Sequence, residues 1–314
     1  MNRVVWRENQ IQALIAAGLD PLDAERTVDL LLRHMPDGVD PEQWMPTFDV
    51  LRLLDDESAE ALQDARADWY AVVPAKWSRI LEAQEKPDGE SKVIPIGLVG
   101  FFWNAQTKRY ETTNPARAVA DKHLRGLVNE RVDELEEYAG NLGAGRMEGR
   151  IAPAIWMGAL YVALRRWHLQ ARALGVGGWA RMGAADLAAV SERLGLDRGR
   201  IERMGRDLAA GSVSVAQLMN RMRGYVGGGL AEYWDGLRGL GPSAPGRVVM
   251  EIRYLRPAEH CSDCVRYYGQ GWQVSGVLPA PATDSECGNF CRCYMVRREV
   301  WADQVNEWLG TRRA

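Results

Sequence analysis

The sequence predicts a mainly α-helical protein that carries a β-hairpin and a small C-terminal α+β module rich in cysteine. Three observations lead to this fold class. Apolar residues recur at every third or fourth position over much of residues 1–239, which is the spacing of amphipathic helices. An apolar run, Leu98–Trp103, and a returning run, Arg109–Thr113, flank a turn-forming segment and predict the hairpin. All five cysteines of the 314-residue chain lie within residues 261–293.

Two segments rich in turn-forming residues divide the chain into three predicted domains. Residues 86–92 read Lys-Pro-Asp-Gly-Glu-Ser-Lys and hold no apolar anchor, and residues 239–246 hold three glycines and two prolines. We therefore expect three domains, which are an acidic helical N-terminal arm (residues 1–91), a helical body with an initial β-hairpin (residues 92–245), and a cysteine-rich C-terminal module with a terminal amphipathic helix (residues 246–314).

In the arm, an Asp followed by a Pro marks two predicted helix starts, at Asp20-Pro21 and Asp40-Pro41. Asp caps a helix, and Pro suits its first position because that position needs no N–H. The segment Met35–Gly38 predicts the end of the first of these helices. Apolar stripes over residues 48–54 and 61–81 predict further helices.

In the body, Asn114-Pro115 predicts the start of a long helix, and the glycines of residues 140–149 predict its end. Ser214, with Gln217 three residues later, fits a capping box, and Asp197 is placed to cap the helix that follows it. The remaining helices are predicted over residues 151–174, 184–194, 198–209 and 214–237.

In the C-terminal module, short strands are predicted over Val248–Tyr254, around Trp272–Val277 and over Tyr294–Val296, so that strands clasp the cysteine site at both ends. Residues 299–314 predict an amphipathic helix with Val300 and Trp301 on its apolar side. We expect this tail to dock on its own body or on a neighbouring subunit.

Composition excludes several classes of protein. An apolar fraction of 46% is that of a globular protein, and the longest apolar run, Ile94–Trp103, is broken by Pro95 and two glycines, so we expect no membrane association. The net charge of −3 is not that of a general nucleic-acid binder. Residues 1–91 hold 19 acidic and 9 basic side chains, whereas residues 92–314 hold 23 and 30. This asymmetry indicates either an acidic arm with its own partner beside a body that tolerates DNA, or solvated helix faces.

The spacing of the cysteines predicts a zinc-knuckle-like site. Cys261 and Cys264 form a C-x2-C pair, and a C-x3-C-x-C group of Cys287, Cys291 and Cys293 follows after 22 residues. Thiolates from two short loops can hold one ion, which then replaces a hydrophobic core that so short a segment lacks. Disulfides are the alternative. We favour zinc because five is an odd number and because no apolar secretory segment follows the first residues, so we expect reduced thiols.

The spacing leaves the choice of four ligands open. Cys261, Cys264, Cys287 and Cys291 supply two half-sites and are the first choice. We expect Cys291 and Cys293 to point to opposite faces, so that only one of them reaches the ion and Cys293 could replace Cys291. His260 is a reserve ligand. Because His260 is followed by Cys261 and Ser262, the H-x-E motif of zinc deaminases is absent, and we interpret the zinc as structural.

The module also resembles a known family. The matching residues are Ala258–Cys264, Gly271–Gln273, Leu278-Pro279, Cys287 and Cys291–Cys293. They look like the C-terminal module of tailed-phage head-morphogenesis proteins, the minor head proteins of the Mu F type. The resemblance covers residues 250–298. Two departures affect the ligand assignment, because Cys287 stands where many relatives have histidine, and Asn289 lies two residues before Cys291 rather than next to it.

The resemblance implies a structural virion protein without catalytic residues. Such a protein lies in the capsid interior or at the portal vertex, in multiple copies, and is in the host cytoplasm during assembly. It binds the phage portal and major capsid proteins, with packaged DNA as a further candidate partner, and acts in head assembly or DNA delivery. The alternative is a zinc-containing enzyme packaged in the virion, either a nuclease or an ADP-ribosyl-transfer toxin, because some family members carry such domains. We expect no enzymatic activity, since few histidines are present and no residues are spaced as a catalytic set.

Overall fold

A computed structural model of the chain describes most of its residues outside the stretch from 47 to 93. The described residues are 3–19, 21–46, 50, 94–96, 99–104, 109–112, 117–177, 181–255, 260–281, 283, 286–287, 291 and 293–312.

The described chain is mainly helical, which confirms the predicted fold class. A 3₁₀ turn, Ala302–Gln304, precedes the last helix. The helices are α1 (Arg3–Ala17), α2 (Pro21–His34), α3 (Arg117–Met147), α4 (Pro153–Val176), α5 (Ala184–Ala209), α6 (Val215–Gly239), α7 (Ser262–Gly269) and α8 (Val305–Trp308).

Two antiparallel sheets of three strands each complete the described fold. The first has the order β1 (Ile94–Ile96), β2 (Val99–Asn104), β3 (Arg109–Thr112), and its β2–β3 pair confirms the predicted hairpin. The second has the order β5 (Gln273–Val274), β4 (Arg247–Tyr254), β6 (Tyr294–Trp301). Strands β4 and β6 pair along their full eight residues, from Arg247 opposite Trp301 to Tyr254 opposite Tyr294.

Several helix boundaries follow the local sequence signals. Helix α2 begins at Pro21 and ends at His34, as the Asp-Pro start and the Met35–Gly38 stop predict. The capping box before α6 is confirmed, because the Gln217 N–H donates to Ser214 Oγ at 3.3 Å and the Ser214 N–H donates to Gln217 Oε1 at 2.9 Å. The second start signal, Asp40-Pro41, was wrong as a helix prediction. Residues 41–43 form a turn in which Asp40 Oδ1 accepts from the Glu42 N–H at 3.2 Å.

The predicted break between two helices near Asp197 is wrong, because α5 continues from Ala184 to Ala209. Asp197 is therefore an interior residue of the helix rather than a cap. Its Oδ1 accepts from Arg200 Nη1 at 2.9 Å, one turn further along the helix, so this oxygen is paired while the residue keeps the helical conformation.

The predicted helix end within residues 140–149 is confirmed, because α3 ends at Met147, but Gly140, Gly143 and Gly145 lie inside the helix and do not interrupt it. Its glycines permit close packing. A Cβ on Gly140 would lie 2.7 Å from Met219 Cε, and one on Gly143 would lie 3.1 Å from Met222 Sδ. A Cβ at either position would require a methionine side chain of α6 to shift, so this close packing accompanies the intrinsic cost of glycine in a helix, about 1 kcal/mol per residue.

The chain divides into two compact units. Unit 1 holds Met1–Ala75, Glu130–Trp167 and Ser191–Val226, and unit 2 holds Lys76–Asn129, His168–Val190 and Gly227–Ala314. The predicted helices over residues 51–81 and the predicted boundary at residue 91 lie outside the described residues. The three-domain division stays a prediction.

Unit 1 has a helical core. Fully buried side chains from three helices form it, among them Leu14 of α1, Leu31 of α2 and Trp156 of α4. Gln10 fixes α1 to the start of α4, because its Oε1 accepts from the Ala152 N–H at 2.8 Å in a buried position.

In unit 2, one face of the β5-β4-β6 sheet is apolar. Met250, Ile252, Trp272 and Val300 are buried together on it, and Trp308 of α8 packs against them. The sequence prediction of a helix over residues 299–314 is wrong in its start, because Val300 and Trp301 belong to β6 and the helix is a single turn, Val305–Trp308. Pairing with the full length of β4 favours the strand, since it satisfies the backbone of both residues.

The tail docks on its own unit, which is one of the two predicted outcomes. The Trp272 N–H donates to the Thr311 carbonyl at 2.9 Å, and the Gly310 N–H donates to the Trp272 carbonyl at 3.0 Å.

Among the helices that the structure describes, none is both long and apolar enough to span a membrane.

Candidate metal centre

The five cysteines belong to three short stretches of unit 2. Cys261 is the residue before α7, and Cys264 lies in the first turn of that helix. Cys287 belongs to the loop between β5 and β6, and Cys291 and Cys293 immediately precede β6. The first pair is thus presented by a helix start, and not by a loop beside a strand as the sequence predicted.

The fold brings the sulfurs of all five together. Cys264 Sγ lies 3.4 Å from Cys287 Sγ and 3.7 Å from Cys291 Sγ. Two groups result, Cys261–Cys264–Cys287 and Cys264–Cys291–Cys293, and the sulfurs within each lie within 4.8 Å of one another. Cys264 belongs to both groups and is therefore the centre of the cluster.

These separations are those of sulfurs around one ion. Four thiolates at about 2.3 Å from a tetrahedral zinc lie about 3.8 Å from each other. The 3.4 and 3.7 Å separations are close to that value, and none of the five cysteines forms a disulfide. A set of soft sulfur donors suits zinc and other thiophilic metals rather than magnesium or calcium. The residues therefore can hold a metal ion.

Burial differs across the cluster. Cys264, Cys291 and Cys293 are buried, whereas Cys261 and Cys287 are partly exposed. His260 Nδ1 lies 3.8 Å from Cys293 Sγ, so the predicted reserve ligand also reaches the cluster. The expectation that Cys291 and Cys293 face opposite ways is wrong. Residues two apart in an extended segment lie on the same face, and the sulfurs of Cys264, Cys291 and Cys293 all lie within 4.8 Å of one another.

An arginine that the sequence did not indicate completes the site. The Arg253 side chain is fully buried, with a fractional exposure of 0%. Its Nη2 donates to Cys291 Sγ at 2.7 Å and to Cys264 Sγ at 3.5 Å, and its guanidinium lies over the Tyr267 ring at 5.1 Å. A permanent cation is thus placed against the two sulfurs at the centre of the cluster.

The electrostatics of the thiols differ with their surroundings. Burial and a hydrogen bond with Cys287 raise the pKa of Cys264, and a hydrogen bond with Cys291 together with burial raises the pKa of Cys293. Burial opposes ionisation of Cys261, but polar contacts with Cys264 and Cys287 lower its pKa overall. Burial likewise lowers the pKa of Arg253, but the neighbouring sulfurs raise it by more, so the guanidinium keeps its charge.

A set of polar contacts holds the two half-sites together. Glu286, which immediately precedes Cys287, accepts from Ser262 Oγ at 2.9 Å and from the Ser262 N–H at 3.3 Å. Asp263 Oδ2 accepts from the Glu286 N–H at 2.8 Å. Ser262 and Asp263 are the two residues between Cys261 and Cys264, so these bonds fix the C-x2-C pair against the loop that carries Cys287.

The sequence analysis found every cysteine of this centre but missed Arg253 and Glu286. Arg253 could have been suspected only from its place in β4, where it alternates with apolar residues on the strand. That pattern ordinarily puts an arginine in solvent. Glu286 carries no sequence signal beyond its position next to Cys287.

Comparison with known proteins gives no relative, since no family model, curated protein or solved structure matches this chain.

Proposed function

We propose that the C-terminal module binds one zinc ion in a structural role and that the protein is a structural minor head protein of a tailed phage. The observation that carries the zinc proposal is that the five cysteine sulfurs form two groups of three that share Cys264, whose sulfur lies 3.4 and 3.7 Å from those of Cys287 and Cys291, close to the separation in a tetrahedral thiolate site. Zinc is the metal that such cysteine-rich sites most commonly hold.

The number of donors supports a structural rather than a catalytic ion. Catalytic zinc sites keep three protein ligands and leave one position for water or substrate. Here two groups of three sulfurs share Cys264, Cys291 Sγ lies 3.7 Å from that shared sulfur, and His260 lies beside Cys293, so a fourth protein donor is close to each group. The module's apolar core is small, with four buried side chains on a three-stranded sheet, and this small core also favours an ion that stabilises the fold.

The phage proposal depends on the family resemblance of the module. The residues that carry it belong to contiguous elements of unit 2, namely α7, the start of β5 and the segment that leads into β6. We propose that unit 2 presents this module in the virion, at the capsid interior or portal vertex, where it contacts the portal and the major capsid protein. The helices of unit 1 offer further surface for such partners, with packaged DNA as an additional candidate.

Metal analysis of the purified full-length protein tests the zinc proposal. We expect about one zinc per chain by atomic emission, and thiols that react with Ellman's reagent only after the metal is chelated. Two ions per chain would point to a bridging Cys264. Protein without metal and without titratable thiols would show disulfides instead.

Isolation of the tagged protein from the producing cells tests the phage proposal. We expect the portal and major capsid proteins to co-purify with it, and a portal gene to lie beside its coding sequence. Recovery as an unattached monomer that hydrolyses nucleic acid or transfers ADP-ribose would support the packaged-enzyme alternative.

A further inference from the structure

Arg253 is placed unlike any other described arginine of the module. Its side chain is fully buried, and its polar contacts are Cys291 Sγ at 2.7 Å, Cys264 Sγ at 3.5 Å and the Pro279 carbonyl, which accepts from Nη1 at 3.3 Å. A buried guanidinium needs an anionic partner, because moving an unpaired charge out of water costs several kcal/mol.

No carboxylate in the described part of the module is available to serve as that partner. Glu251 lies two residues earlier on the same strand and the same face, but it is already engaged. Its carboxylate pairs with Arg238 at 2.9 Å and with Arg297 at 3.3 Å, and it accepts from Ser275 Oγ at 2.7 Å. The groups that Arg253 does contact are the sulfurs of Cys291 and Cys264, which would carry negative charge as thiolates once a metal is bound.

A metal ion bound by four of these cysteines would also need the positive charge of Arg253 beside it. One divalent ion with four thiolates carries a net charge of −2, and three of the sulfurs of this cluster are buried. A hydrogen bond from an ionised donor to a thiolate is about twice as strong as one between neutral groups. Such a bond strengthens with the negative charge on sulfur, so the sulfur that Arg253 contacts most closely is the one favoured as a ligand.

Cys291 and Cys293, the two candidates for the fourth metal ligand, differ in the side chain that each of them contacts. Cys291 Sγ is 2.7 Å from the guanidinium, whereas Cys293 Sγ faces His260 Nδ1 at 3.8 Å. We propose that Arg253 is a positioning residue of the metal centre, which offsets the charge of a tetrathiolate ion and selects Cys291 over Cys293 as its fourth ligand, so that the ligand set is Cys261, Cys264, Cys287 and Cys291. This inference rests on the proposed zinc site.

The test uses full-length Arg253→Met, which keeps the side-chain length without the charge, and Arg253→Lys, which keeps the charge. Arg247→Met is the matched control, because Arg247 begins the same strand and lies over Trp301 at 4.1 Å, away from the sulfurs. Each variant is loaded with Co²⁺, and affinity, the sulfur-to-cobalt absorption bands and the rate of iodoacetamide alkylation of the loaded protein are measured.

We expect Arg253→Met to bind Co²⁺ about 10- to 100-fold more weakly, as loss of an outer-shell partner does elsewhere. Its bound thiolates should also alkylate faster, because the hydrogen bond no longer restrains the sulfur lone pairs. Arg253→Lys should recover part of both properties, and Arg247→Met should behave as the wild type. Alkylation rate and the lysine rescue report on the thiolates themselves, which a purely space-filling role of Arg253 would leave unchanged.

Single cysteine variants test the selection of the fourth ligand. We expect Cys293→Ser to keep the four-thiolate cobalt spectrum and Cys291→Ser to lose it. The inference is overturned if Arg253→Met matches the wild type in affinity and alkylation, or if Cys291→Ser keeps the spectrum that Cys293→Ser loses. Wild-type protein that binds neither Zn²⁺ nor Co²⁺ would instead overturn the proposed zinc site itself, so the two failures are distinguishable.

Discussion

Cys264 Sγ and Cys287 Sγ lie 3.4 Å apart although 23 positions separate the two residues in the chain. The first is held by the start of α7 and the second by a loop that Glu286 fixes to Ser262. Two separate segments therefore meet at a distance at which two thiolates repel each other unless a cation lies between them. A metal ion bound by both sulfurs would supply that cation.

Cys264→Ser should abolish metal binding more completely than Cys261→Ser. Cys264 is shared by both sulfur groups, whereas Cys261 belongs to one. We expect the affinity for Zn²⁺ to fall by well over the factor of about 100 that outer-shell changes reach. Competition with a chromophoric chelator measures it, and equal affinities for the two variants would contradict a cluster centred on Cys264.

In the same Cys264→Ser protein, limited proteolysis should cut within residues 256–293 while the helices of unit 1 stay protected. The reason is that a structural zinc supplies folding free energy only to the segment that binds it. Helical circular dichroism should remain close to that of the wild type. Simultaneous loss of both units would show that the module and the helices fold as one.

Metal affinity should rise with pH. Thiols bind metal only as thiolates, and the pKa of Cys264 is raised by burial and by its contact with Cys287, so this thiol holds its proton at neutral pH in the metal-free protein. Metal binding must displace that proton, and each proton released adds to the pH dependence. Chelator competition at pH 6 and pH 8 should therefore give the tighter binding at pH 8, and equal affinity at both would exclude protonated thiol ligands.

Glu251→Gln should destabilise unit 2. The carboxylate is buried between Arg238 and Arg297, and its removal takes from both guanidinium groups the carboxylate that they contact. We expect the free energy of unfolding to fall by about 3–5 kcal/mol, the range for breaking one side of a buried ion pair. Glu307→Gln in α8 is the control, because that side chain is exposed and its loss should change stability by less than about 0.5 kcal/mol. Similar denaturation midpoints for the two variants would show that the buried pairs contribute little.

Gly271→Ala should detach the tail. Gly271 has a φ of +65°, and a Cβ there would lie 2.5 Å from the carbonyl oxygens of Gly310 and Thr311. The left-handed backbone alone costs an alanine about 1–2 kcal/mol, and the clash with the tail adds about 1–3 kcal/mol.

Gly276→Ala separates these two costs. Gly276 has a φ of +90° but no atom within 4 Å of a Cβ, so only the backbone cost applies. Chemical denaturation should show the larger loss for Gly271→Ala, and hydrogen exchange should show deprotection of the Trp272 and Gly310 amides in that variant alone. An equal loss in both variants would mean that the tail contact is dispensable.

Local patterns predicted the regular elements well where the signal is carried within a few residues. The Asp20-Pro21 start, the capping box of Ser214 and Gln217, and the hairpin of β2 and β3 all depend on neighbouring residues, and all three are confirmed. The errors occurred where a distant partner overrides the local preference. Gly140 and Gly143 were expected to break α3, yet they lie inside the helix opposite methionines of α6, and the helix continues to Met147.

The sequence by itself determined that this protein is mainly helical and that a cysteine-rich segment near the C-terminal end has the composition of a metal site. It could do so because helical periodicity and cysteine spacing are properties of residues close together in the chain. Only the tertiary structure decided that Cys264 is central, that Cys291 and Cys293 lie on the same side of it, and that Arg253 is buried against their sulfurs. These facts depend on how β4, α7 and the segment before β6 pack together. Contacts between residues more than ten positions apart are set by that packing, and no local pattern of residues encodes them.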